Sequence, residues 1–128
     1  MIQAYCQNGG LTYAECGGMM YLGQTITNEQ GQVFEMVNFL DLTTSMVNKR
    51  LHLGYRKIQF NDLEIRGHEF HYSSVTVLRE MQTLGKIYNA KGLAVSSSLY
   101  RKQNTFASYI HVYWGENLTG FKNLSCLV

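Results

Sequence analysis

At 128 residues the chain is long enough for one domain with a real core and too short for two. Its 45% hydrophobic content and formal charge of +2 provide neither a basic patch for nucleic acid nor an acidic tail, and no apolar stretch reaches the roughly eighteen residues of a membrane span. Three cysteines, Cys6, Cys16 and Cys126, are too few and too unevenly placed for a disulfide framework; with no signal-peptide pattern at the N-terminus, this points to a reducing cytoplasm.

In chain order, residues 1–8 place Ile2, Tyr5 and Cys6 at helical spacing, and Gly9-Gly10 supplies a C-terminal stop. Residues 11–15 read as a buried strand. Glu15-Cys16-Gly17-Gly18 then turns the chain into an apolar run, Met19-Met20-Tyr21-Leu22, that continues as helix. Residues 23–32 are polar with turn signals at Asn28 and Gly31. Over 33–46 the periodicity leaves helix and strand undecided, with Val33, Phe34, Val37, Phe39, Leu40 and Leu42 as anchors. The run LHLGYRKIQF (51–60) sets Leu51, Leu53 and Tyr55 on one face of a strand, and Asn61-Asp62 turns it. A second strand over 64–73 is interrupted by Gly67, a third covers 75–78, and a tight turn at 90–92 separates two further apolar segments. Residues 106–114 read as one more strand. Leu118, Phe121 and Leu124 outline a short C-terminal amphipathic helix. The pattern as a whole is mixed α/β. Proline is absent where average usage gives roughly six.

Cys16 carries the most chemical information. A nucleophile at a strand-to-helix turn is held in a strained conformation with its side chain exposed, and small neighbours such as Gly17 and Gly18 make such a turn possible. Helix N–H groups aimed at the sulfur favour thiolate over thiol. By position alone, a buried and inert cysteine is the commoner case.

Four ordered motifs reverse that balance: YAECGGMMYL, LHLGYRKIQF, RGHEFHYS (66–73) and NTFASYIHVYWGE (104–116). Together they resemble the glutamine amidotransferase domain of cobyrinate a,c-diamide synthases, from about Leu11 to Glu116. The resemblance implies a flavodoxin-like class I amidotransferase fold and a glutaminase that releases ammonia from glutamine. It implies Cys16 as nucleophile, His111 as its base, and Gly17 and Gly18 at the oxyanion and glutamine pocket. The glutamate that most class I amidotransferases carry two residues after the histidine is Tyr113 here, a departure that this family shares. Glu69 and Glu116 are the carboxylates then offered as orienting groups.

Against the same family, the chain corresponds to the rear of the domain over residues 1–128. Its front half, with the second oxyanion donor, and the synthetase domain that uses ATP and Mg²⁺ are expected outside these residues, on the same or a separate chain. This segment itself is expected to hold no cofactor. Its expected partners are glutamine, the front half, the synthetase domain and, through that domain, a corrin substrate; nucleic acid and membrane are not among them. A diamide synthase of another tetrapyrrole such as nickel-sirohydrochlorin, a non-catalytic remnant serving as an interaction module, and a stand-alone cysteine hydrolase are the competing readings.

The segment Gly67–Ser73 also invites a metal reading, with His68, Glu69 and His71 as ligand types. Residues three apart on a strand face opposite ways, however, so His68 and His71 are expected to diverge and no metal site is expected. Met19 and Met20 are expected to fill core space. The basic residues Lys49-Arg50 and Arg101-Lys102 read as solvated charge.

Overall fold

A computed structural model describes residues 1–116 and, beyond them, Thr119, Lys122, Asn123 and Cys126. The helix expected from Leu118, Phe121 and Leu124 lies outside the described residues. Two six-residue helices open the fold, α1 (Ile2–Gln7) and α2 (Gly17–Leu22), separated by β1 (Thr12–Glu15). Beyond α2 the order is β2 (Thr25–Thr27), β3 (Val33–Glu35), β4 (Leu42–Ser45), β5 (His52–Phe60), β6 (Leu63–His71) and β7 (Ser74–Val77). There follow β8 (Gln82–Thr83), β9 (Lys86–Asn89), β10 (Tyr100–Lys102), β11 (Thr105–Ser108) and β12 (Ile110–Val112), with a 3-10 turn at Trp114–Glu116. No helix among the described residues is long and apolar enough to cross a membrane.

The strands form three four-stranded sheets, ordered β1-β11-β10-β8, β12-β6-β5-β9 and β3-β2-β4-β7. The architecture is mixed α/β and rich in sheet. Among the described residues, β1 beside β11 and β2 beside β4 are parallel pairs; the other pairings are antiparallel. The run 33–46, undecided by periodicity, is extended at both ends. Its anchors divide: Phe39, Leu40 and Leu42 are buried while Val33 and Phe34 are exposed.

Strand β11 is buried at every position, as befits a strand covered on both faces. Ala107 joins Met19, Leu22, Leu40, Leu42 and Tyr109 in one core, so Met19 fills core space as its position suggested. Phe106 joins Ile58, Ile65, Leu84, Ile87 and Ile110 in the other. The single strand expected over 106–114 is in fact two. The chain leaves the first sheet at Ser108, passes Tyr109 and enters the second sheet as β12. That crossing brings the end of β1 next to β12.

The hairpin β5–β6 is continuous and its two-residue turn, Asn61-Asp62, fixes the register, with Phe60 opposite Leu63 and His52 opposite His71. Gly67 does not interrupt the strand. It sits opposite Arg56 on one side and Val112 on the other, where an added Cβ would run into the His111 carbonyl. The bare backbone lets β12 approach, and the close approach carries His111 into line with His68. Along β6 the inner face holds Ile65, Gly67, Glu69 and His71, all buried, while Arg66 and Phe70 point outward. Leu53 and Tyr55 of β5 share the outer side and are 61% and 70% exposed, so the apolar face legible in the sequence is turned away from the core.

Candidate active site

Cys16 sits between β1 and α2 with φ 48° and ψ −109°, a combination that L residues rarely adopt. Holding it costs on the order of 1–3 kcal/mol, which the surroundings must supply. Its N–H donates to the Ser108 carbonyl at 2.8 Å, and its carbonyl accepts from Met20 N–H at 3.1 Å. The first of these bonds extends the parallel β1–β11 ladder by one residue, so the strand itself forces the bend. Neither neighbouring glycine is required by crowding: a Cβ at Gly17 would meet nothing within 4 Å, and one at Gly18 would meet only Ala14 Cβ at 3.5 Å. Gly17 leaves open space at the turn.

The thiol is not a ready-made thiolate, and here the expectation from the helix N-terminus is corrected. Burial pushes its pKa up; the Gly17 N–H pulls it down, and the carboxylates of Glu69 and Glu15 push it up further. A helix of six residues contributes too little to reverse this. The protonated sulfur accordingly lies 3.9 Å from the Phe70 carbonyl, the acceptor in its reach. A thiol held in this state needs a base before it can attack.

His111 stands on β12, opposite His68 of β6, with the two rings stacked at 4.9 Å. Its Nδ1 lies 3.6 Å from Glu15 Oε2. The other Glu15 oxygen accepts from the Val112 N–H and the Tyr13 hydroxyl, each at 3.0 Å. Tyr13 is pinned in turn by an edge-on contact with Trp114, ring centroids 5.0 Å apart. Burial, with Glu15 adding to it, raises the Tyr13 hydroxyl far above its ordinary pKa, so it remains a donor to the carboxylate. Cys16 and His111 therefore flank Glu15, one in the chain and one across the sheet boundary.

The inner face of β6 carries a second cluster. Glu69 accepts from Arg56 Nε at 2.6 Å and from Ser97 Oγ at 2.6 Å, and His71 Nε2 is 2.7 Å away. Burial alone would raise the Glu69 pKa, yet the hydrogen bonds from His71, Ser97 and Arg56 and the Arg56 charge outweigh it and hold the carboxyl at about 2. His71 Nδ1 lies 2.9 Å from the Ser73 carbonyl, so both ring nitrogens face acceptors. The ring is sandwiched between Tyr109, 3.5 Å away centroid to centroid, and His52 at 4.8 Å. Ser73 Oγ bonds the Tyr109 hydroxyl at 2.8 Å and approaches Met20 Sδ at 3.6 Å, which links this cluster to the helix behind Cys16. A cavity of about 300 Å³ opens beside it, lined by His52, His71, Ser97, Tyr100 and Tyr109 among others.

His68 and His71 do diverge, onto opposite faces of β6. His52, Glu69 and His71 instead bring three ligand-type atoms within 4.8 Å of one another. Both His71 nitrogens and both Glu69 oxygens have protein partners, and Arg56 places a positive charge at the carboxylate.

The carboxylates offered from sequence as orienting groups are elsewhere. Glu116 pairs with Arg66 at 2.9 Å, and Glu69 belongs to the inner cluster. Tyr113 lies tilted against His68, ring centroids 5.6 Å apart. The carboxylate at His111 is Glu15, missed because an immediate neighbour of the nucleophile suggests a strand residue and nothing in its spacing points to a histidine 96 positions on. His52, also missed, had a signal: the Asn61-Asp62 turn places it opposite His71 by counting outward. Lys102 reaches Asp41 Oδ2 at 2.6 Å and Lys49 reaches Glu29 at 3.0 Å, so both basic residues read as solvated charge have acidic partners.

A family model described as CobB/CobQ-like glutamine amidotransferase domain matches residues 1–118. The chain is 36% identical over 121 residues to the cobyrinate a,c-diamide synthase of Archaeoglobus fulgidus, covering 88% of this chain and 26% of that protein. It is 38% identical over 125 residues to the cobyrinate a,c-diamide synthase of Synechocystis sp., covering 84% and 24%. With the hydrogenobyrinate a,c-diamide synthase of Rhizobium meliloti it shares 33% identity over 109 residues, 81% of this chain and 25% of the other. The chain thus spans about a quarter of the length of these curated relatives.

Proposed function

The chain belongs to the CobB/CobQ-like glutamine amidotransferase family, and from that membership we propose that it is the glutaminase part of a cobyrinate a,c-diamide synthase. In this reading it releases ammonia from glutamine for the amidation of a corrin carboxylate. ATP and Mg²⁺ act in a synthetase portion outside these residues, as the resemblance in the sequence implies. The observation that carries the reading is Cys16 itself: a strained strand-to-helix turn whose preceding residue, Glu15, reaches the strand that bears His111.

The chemistry follows from the state of the thiol. His111 takes the Cys16 proton as the sulfur attacks the carboxamide carbon of glutamine, which is why a thiol with a raised pKa is workable. The Gly17 N–H, already directed at the sulfur, donates to the oxyanion that forms on the former carbonyl oxygen. As the tetrahedral adduct collapses, His111 returns the proton to the departing nitrogen and ammonia leaves. Water then adds to the glutamyl thioester with His111 as base, releasing glutamate and restoring the thiol. The supporting cluster of Glu69, His71 and Tyr109 holds the floor behind α2. The exposed Leu53, Tyr55 and Phe70, on the outer side of the hairpin, suit contact with the synthetase portion.

The test is ammonia release from glutamine, measured with a synthetase portion of a relative supplied in trans. Cys16→Ser is expected to abolish release, and His111→Ala to reduce it by about 10²-fold or more. Unchanged release in either variant would overturn the proposal.

A further inference from the structure

We propose that Glu15 is the positioning residue for His111: its carboxylate faces Nδ1, selects the ring form that carries the proton there, and so leaves Nε2 unprotonated to receive the proton of the Cys16 thiol. The inference rests on the pairing of Cys16 with His111 argued above and goes beyond it, because it supplies the orienting group that the residue two places after the histidine, Tyr113, cannot provide.

Three observations converge on it. Glu15 Oε2 is 3.6 Å from His111 Nδ1, while neither Glu69 nor Glu116 is placed to serve that nitrogen. The carboxylate is itself fixed, because Oε1 accepts from both the Val112 N–H and the Tyr13 hydroxyl. Those two bonds spend one oxygen and aim the other at the imidazole. Finally, the anchor is coupled to the ring it serves: Val112 follows His111 on β12, so the bond that orients Glu15 also fixes the backbone carrying the histidine. A neutral imidazole has one N–H, and a carboxylate oxygen 3.6 Å from Nδ1 attracts that proton to Nδ1 rather than to Nε2.

Glu15→Gln makes the distinction sharp. The amide keeps the size of the carboxylate, and its oxygen continues to accept from Val112 and Tyr13. The amide nitrogen then replaces Oε2 opposite Nδ1, so a donor meets the ring where an acceptor stood. The ring is driven to the other tautomer, with the proton on Nε2 and no lone pair left for the thiol. In a serine–histidine–aspartate site, the equivalent exchange of carboxylate for amide costs about 10⁴-fold through the wrong tautomer.

The experiment is long-range proton–nitrogen correlation spectroscopy of the histidine-labelled chain, at alkaline pH where the ring is neutral. It is paired with the rate at which a glutamine-mimicking diazoketone labels Cys16. The unsubstituted chain is expected to show His111 protonated at Nδ1. Glu15→Gln is expected to move the proton to Nε2 and to slow labelling about tenfold or more. A His111 protonated at Nε2 in the unsubstituted chain would overturn the inference whether or not the variant folds. An unchanged tautomer in a folded Glu15→Gln chain would overturn it as well. Labelling that stays fast in His111→Ala would instead overturn the pairing of Cys16 with His111 on which the inference stands, and the two failures are thereby told apart.

Discussion

At the scale of single residues, the site is a contest over one proton. Burial, Glu69 and Glu15 all favour the neutral Cys16 thiol, and the single N–H of Gly17 does not overcome them. The sign of the consequence is fixed: less thiolate is present at neutral pH than in an unstructured cysteine peptide. Alkylation of Cys16 by iodoacetamide is therefore expected to follow a titration displaced to higher pH than that of a free cysteine peptide, read by mass spectrometry of the Cys16 peptide. A midpoint below the free value would contradict this balance. Cys16 and His111 stand out in the sequence because each lies in a motif whose order along the chain matches a known pattern. Glu15 was not legible, since its role depends on β12 crossing to the end of β1, and no local spacing encodes that crossing.

At the scale of elements, the β5–β6 hairpin does two jobs with two faces. Its outer side presents His68 to the His111 ring, its inner side carries the Glu69 cluster, and the Phe70 carbonyl on its edge meets the Cys16 sulfur. The alternation of a strand is what keeps these apart, and it also made the divergence of His68 from His71 predictable. The direction of the faces was harder to read. Leu51, Leu53 and Tyr55 form the more apolar side of the strand, yet the buried side is the one bearing Arg56 and His52, because its polar groups find partners across the hairpin. Pattern alone cannot register a satisfied buried ion.

That ion also ties folding to pH. Glu69 is held at about 2 against an ordinary value of 4.5, so the folded chain favours its ionised form. The contribution is fully present above the unfolded pKa, then fades as the pH falls through 4.5 toward 2, because the unfolded chain binds the proton first. The shift corresponds to about 3 kcal/mol. Urea unfolding is expected to show stability dropping by an amount of this order between pH 6 and pH 2, with a flatter profile in Glu69→Gln. Equal acid sensitivity in the two chains would place the acid-labile group elsewhere.

At the scale of the whole molecule, the described residues amount to a site built at the junction of two sheets. One sheet brings Cys16 on a parallel pair, the other brings His111 on an antiparallel edge strand, and Glu15 spans the seam through Val112. Sequence reading placed most strands correctly, because turns such as Asn61-Asp62 and 90–92 are chemically marked. It joined β11 to β12, because an unbroken apolar run conceals a change of sheet at Tyr109.

The central claim is that these residues assemble a glutamine-reactive cysteine, and covalent labelling with a glutamine-mimicking diazoketone tests it most directly. Peptide mapping after exposure of the folded chain, with circular dichroism to establish folding, reads out which sulfur reacts. The account predicts labelling at Cys16 ahead of Cys6, which is buried, and of Cys126, which is exposed but has no part in the site, with excess glutamine protecting Cys16. Labelling that tracks exposure alone, with Cys126 preferred and no protection by glutamine, would contradict it.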